Sequence, residues 1–172
     1  MKIARLYCSL FFTAALTLVA ATPTRAQSAA EANYPAWAAL SHKLEANPLD
    51  PQLNRDAELA VQQIRASSDF HTPLCNSFFS FFSKLSATAY PYQPQVYHLY
   101  TLGSATYRIE TGKTDAYGTN LYAFTSVLKG YSSILAKDPA ARDKTMDELL
   151  VTDLKGKLPD MLGKDSTCRP SK

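Results

Sequence analysis

The chain has 172 residues, 46% of them hydrophobic, with 18 Lys and Arg against 15 Asp and Glu. That is the size and balance of one globular domain, not of a disordered or fibrous chain. Its formal charge of +3 resides in the N-terminal segment, because Lys2, Arg5 and Arg25 all precede Gln27 and the rest carries as many acids as bases. A neutral domain without a Lys/Arg run lacks the electrostatic footprint of a nucleic-acid partner.

Residues 1–26 read as a signal peptide. Lys2 and Arg5 form a positive n-region, Leu6 to Ala21 is uncharged and apolar or small, and Pro23 precedes the small residues Thr24 and Ala26 in the order that signal peptidase reads. The apolar run falls short of the ~20 residues that cross a bilayer, so cleavage is expected in place of a membrane anchor. Cys8 lies at the start of that run and not after it, which argues against a lipid anchor. The expected product is a single helical domain, residues 27–172, in the periplasm or outside the cell, with no stable membrane insertion. Two cysteines then remain, Cys75 and Cys168, and an even pair in an exported chain predicts one disulfide. Closing so long a loop stabilises by up to ~4–5 kcal/mol in the chain-entropy model, and would pin the C-terminal tail to the helix carrying Cys75.

Along the mature chain, apolar residues recur at helical spacing. Trp37, Leu40 and Leu44 mark a first helix that stops at Asn47-Pro48. Asp50-Pro51, Thr72-Pro73 and Asp138-Pro139 each offer an N-cap side chain followed by a proline suited to the first helical position, and predict starts for a second, third and sixth helix. Gln93-Pro94 marks a fourth, with Gly112 as its C-terminal stop, and Asp115 caps a fifth. The fifth has the most regular stripe, Tyr117, Leu121, Phe124, Leu128, Tyr131 and Leu135. A short apolar segment (Leu154, Leu158, Met161, Leu162) follows the sixth, interrupted by Gly156 and Pro159. No run has the alternation and turn chemistry of a strand. The fold class is therefore all-α, a compact bundle of five or six helices with one disulfide. Proline starts at 51, 73, 94 and 139 leave a short α-solenoid of helix pairs as the alternative, but the tetratricopeptide pattern fails, since Leu102-Gly103 places Thr106 where Tyr is required.

Motifs for chemistry are sparse. Gly112-Lys113-Thr114 lacks both the upstream glycine and the strand of a phosphate-binding loop. Ser126-Val127-Leu128-Lys129 matches the Ser-x-x-Lys of serine β-lactamases, but its serine falls in mid-helix and no Lys-Thr-Gly follows. Of the histidines, His42, His71 and His98, only His42 has a carboxylate at helical spacing, Glu45, and a lone pair of that kind is ordinarily a solvated face. No catalytic residue, metal site or cofactor is expected. The compositional oddity is Tyr90-Pro91-Tyr92-Gln93-Pro94 leading into Tyr97, His98 and Tyr100. Prolines on both sides of Tyr92 stiffen the loop, and the first turn of the fourth helix is expected to aim Tyr97 and His98 partly at solvent. The candidate binding surface is thus Tyr92, Tyr97 and His98, weighed against tyrosines that simply seal a phenylalanine-rich core. Phe78, Phe79, Phe81 and Phe82 cannot all face one core, and some of them are candidates to line a cavity.

These features favour an exported, non-catalytic binding or interaction protein of the cell envelope (an inhibitor, an immunity-type protein or an accessory subunit), with another envelope or secreted protein as partner. An envelope hydrolase with a site assembled in three dimensions is the alternative, and a carrier of a small apolar ligand is the third.

Overall fold

A computed structural model describes residues 34–169, within a compact unit spanning Ala32–Lys172. Residues 1–26, read above as a signal peptide, lie outside the described residues. Among the described residues seven helices follow one another: α1 (Tyr34–Ala46), α2 (Pro51–Ala66), α3 (Asn76–Ala87), α4 (Gln93–Thr111), α5 (Ala116–Lys137), α6 (Lys144–Leu154) and α7 (Leu158–Lys164). No strand occurs among the described residues, and none of their helices is long and apolar enough to cross a membrane. The seventh helix is the interrupted apolar segment, and Pro159 sits in its first turn, where proline is tolerated.

The bundle is built around α4 and α5. Gly103 and Gly130 let the two approach closely: a Cβ on Gly103 would lie 2.8 Å from Ser126 Cβ, and one on Gly130 would lie 2.2 Å from Leu99 Cδ1. α1 packs on both helices, α2 on α4 and α1, and α6 and α7 on α5. In a solenoid each repeat meets only its neighbours. Here α1 meets α4 and α5 across the chain, so the architecture is a compact bundle. The stripe expected on α5 is too narrow. Phe124, Leu128 and Tyr131 are buried, but so are Asn120, Ala123, Ser126, Val127 and Ile134, because neighbours cover α5 on several sides.

Local caps hold where nothing distant competes. Asp50 accepts the Gln52 and Leu53 amides, Asp115 accepts the Gly118 amide, and Gly112 ends α4 with φ 69°, a left-handed conformation that favours glycine. Two proline starts are corrected. The third helix begins at Asn76, not Pro73, because the Pro73 carbonyl is taken by Asn120 Nδ2 at 2.7 Å and Cys75 is bonded to Cys168. The sixth begins at Lys144, not Pro139. Asp138 closes a turn onto the Ala140 and Ala141 amides, and the helix is capped afresh by Asp143, which accepts from Thr145 and Met146.

Candidate functional site

α3 stands apart from the central pair. Its backbone keeps its distance from α4 and α5, and aromatic rings bridge the space: Phe78 to Tyr100 at 4.7 Å, Phe81 to Phe124 at 5.4 Å, and Phe82 to Tyr97 at 5.8 Å between centroids. Of the four phenylalanines, Phe78 and Phe81 are buried, Phe82 is half-buried and Phe79 is exposed. Beside this aromatic layer, α3, α6 and α7 border an open cleft of about 480 Å³ over α5, within the usual range of small-ligand sites.

Helical periodicity makes this cleft two-toned. Its floor is Phe81, Phe124, Leu149 and Met161, the first three buried. Ser77, Ser80 and Lys84 line it from successive turns of α3, and Thr145, Glu148 and Thr152 from successive turns of α6, the spacing that keeps side chains on one helix face. Lys164 and Asp165 complete the rim. Glu148 faces Lys144 at 4.0 Å, and the Thr152 hydroxyl donates to the Glu148 carbonyl. The side chains of Ser80, Lys84, Thr145 and Lys164 have no polar partner among the described residues.

One end of the cleft is held by a clasp from the C-terminal segment. The Cys75–Cys168 disulfide, with Cα atoms 5.2 Å apart, joins the entrance of α3 to residues 93 positions later. Cys75 provides no side-chain cap to α3. Asp165 Oδ2 instead accepts the Ser77 amide at 2.6 Å and its hydroxyl at 2.7 Å, and Thr167 Oγ1 accepts the Asn76 amide at 2.8 Å. Asp165 Oδ1 holds the clasp itself in shape by accepting the Thr167 amide and hydroxyl. Burial alone would push the Asp165 carboxyl up, but the hydrogen bonds from Ser77 and Thr167 outweigh it and hold it at about 2. The expected pinning of the tail is thus also the N-terminal cap of α3.

A second polar cluster joins α1, α4 and α5. Glu45 is buried and accepts from Ser126 Oγ at 2.7 Å and Lys129 Nζ at 3.2 Å. His42 Nδ1 lies 3.5 Å from Glu45, and its Nε2 lies 2.8 Å from Glu110, which also accepts from Tyr122. The Glu110 contact, stronger than the opposing desolvation, raises the His42 pKa. Burial, followed by Glu110, pushes the Tyr122 hydroxyl up. The Ser-x-x-Lys pair is thereby accounted for. Ser126 is 1% exposed and donates to the Glu45 carboxylate, which Lys129 Nζ also contacts, so the serine is not placed to attack a substrate. Among the described residues no three His, Cys, Asp or Glu side chains converge to hold a metal ion.

Tyr92, Tyr97 and His98 do not line the cleft. The Tyr92 hydroxyl donates to Asp138 at 2.8 Å and its ring packs at the edge of the core. Tyr97 is half-buried against Phe82. His98, expected partly in solvent, is instead 7% exposed, because α2 covers that side of α4 and Glu58 accepts from His98 Nε2 at 2.8 Å. Tyr90 is buried with its hydroxyl unpaired among the described residues. The sequence signals of the cleft were the hydroxyl-and-lysine face of α3 beside Phe81 and the Thr-Glu-Thr face of α6. Neither says that the two faces meet.

Comparison of the chain with protein-family models, curated proteins and solved structures finds no match.

Proposed function

We propose that the protein is an exported, non-catalytic binding protein that takes a small, largely apolar ligand into the cleft between α3, α5, α6 and α7. The supporting observation is the cleft itself. Its floor is buried and apolar, while Ser80 and Thr145 on its walls have unpaired hydroxyls that would orient a guest. Four apolar side chains lie under a wall and rim of nine polar ones, so the cleft offers apolar surface to hold a guest and polar groups to orient it. The acid–base cluster around Glu45 gives no competing support to a hydrolase, because its serine is buried and its lysine is paired. Ligand carriage therefore moves ahead of protein partnership, the reading that composition alone favoured. Export rests on the sequence of residues 1–26.

Nile red, a neutral dye that brightens in apolar surroundings, tests the reading. The wild type is expected to bind it saturably with one site. Ser80 is exposed on the cleft wall, so Ser80→Trp should fill the space without disturbing the core and abolish binding. Equal binding by that variant would move the site elsewhere and overturn the proposal.

A further inference from the structure

We propose that the occupant of the cleft is a free, single-tailed amphiphile with an anionic head group, its tail over Phe81, Phe124, Leu149 and Met161 and its head at Lys84 and Lys164. This rests on the reading of the cleft as the binding site and adds the charge and shape of the ligand.

The charge follows from the rim. Four ionisable side chains border the cleft: Lys84, Lys164, Glu148 and Asp165. Of the two acids, Asp165 is fully engaged and Glu148 is exposed beside a neighbouring lysine. Asp165 spends both oxygens on the clasp, accepting from Ser77 and Thr167, and Glu148 faces the Lys144 ammonium. The two lysines have no acidic partner among the described residues. The free hydroxyls of Ser80 and Thr145 add further donors on the same walls. An anionic head would therefore find two unneutralised ammonium groups, whereas a cationic head would find Asp165 already satisfied and Glu148 shared with Lys144. Both lysines are exposed, so their attraction for an anion should weaken as salt is added.

The shape follows from the dimensions. At about 1.5 Å per residue, the α3 wall from Ser77 to Lys84 is roughly 10 Å long. A membrane acyl chain, about half of a ~30 Å hydrocarbon core, would overrun that wall, and two chains would exceed it further. A medium-length single tail fits.

The test is displacement of Nile red from the purified protein, disulfide intact, by three amphiphiles of equal tail: decanoate, decanol and decyltrimethylammonium. Decanoate is expected to displace the dye at roughly tenfold lower concentration than decanol, equivalent to about 1.4 kcal/mol, with the cation weakest. In the Lys84→Gln/Lys164→Gln double variant, with the melting temperature as the folding control and each displacement scaled to that variant's own dye affinity, the preference for decanoate over decanol should be lost. Equal displacement by decanoate and decanol, or a preference that survives in the double variant, would overturn the assignment of charge and leave the cleft reading standing. Failure of the wild type to bind Nile red would instead remove the cleft reading on which the proposal rests.

Discussion

Replacing Asp165 with alanine removes acceptors from two places at once: the first turn of α3 loses its partner for the Ser77 amide and hydroxyl, and the clasp loses its internal tie to Thr167. Loss of an N-cap side chain alone costs about 1 kcal/mol, and hydrogen bonds to a charged acceptor contribute ~1.5–3 kcal/mol. These overlap, since the same carboxylate serves both, and a destabilisation of about 2 kcal/mol is expected. For a domain of this size that lowers the melting temperature by roughly 6–10 °C. The assay is circular dichroism in the helical band, on oxidised protein, so that the disulfide is common to both variants. Acid supplies an independent check. Because Asp165 is depressed in the folded state from 3.8 to about 2, its stabilisation is fully present above the ordinary carboxylate value and is lost as pH falls through about 2. The difference between wild type and variant should therefore shrink across that window. A melt within about 1 °C of wild type near neutrality, or a difference that persists unchanged in acid, would refute the claim that the clasp caps α3.

Gly103→Ala would place a methyl group 2.8 Å from Ser126 Cβ and 3.2 Å from the Ala123 Cα. Overpacking of ~1–3 kcal/mol against a propensity gain of ~1 kcal/mol should leave a net loss of about 1 kcal/mol in urea unfolding. Gly163→Ala meets nothing within 4 Å in α7 and should instead stabilise by about 0.5–1 kcal/mol, so a reversed order would sink the packing argument. His42, raised above 6.5 by Glu110 and flanked also by Glu45 and its partner Lys129, stabilises fully below the unfolded value and less as pH rises through the folded one. Half-exposed, it should contribute no more than ~1 kcal/mol, and His42→Gln should flatten that slope in thermal melts. Mass spectrometry of the exported protein should find its first residue at or near Gln27, and an intact Met1 would contradict the signal reading.

What the sequence made legible was short-range. Asp50-Pro51, Asp115 and Gly112 work because a cap needs only its own first or last turn, so the residues that decide it are adjacent in the chain. Thr72-Pro73 and Asp138-Pro139 carry equally good local signals, yet they lie where Asn120 and Cys168, or Tyr92, compete for the same backbone and side-chain groups. A distant partner decides those starts. The disulfide was readable from cysteine arithmetic, but not that Asp165 and Thr167 beside it would replace the missing cap of α3. His98 illustrates the same limit, for its exposure depended on where α2 would lie. The cleft was least legible, because its walls come from three helices whose polar faces look, one at a time, like ordinary solvated surfaces. The crowding of phenylalanine on α3 was the one sign that this helix had apolar surface to share between two sides.

Amide chemical-shift mapping during a decanoate titration tests the central claim, that the cleft is the binding site, most directly. Saturable shifts confined to Ser77, Ser80 and Lys84 of α3, Thr145 to Thr152 of α6, and Met161 and Lys164 of α7 are the predicted result. Shifts centred on Tyr92, Tyr97 and His98, with the cleft residues unmoved, would contradict it.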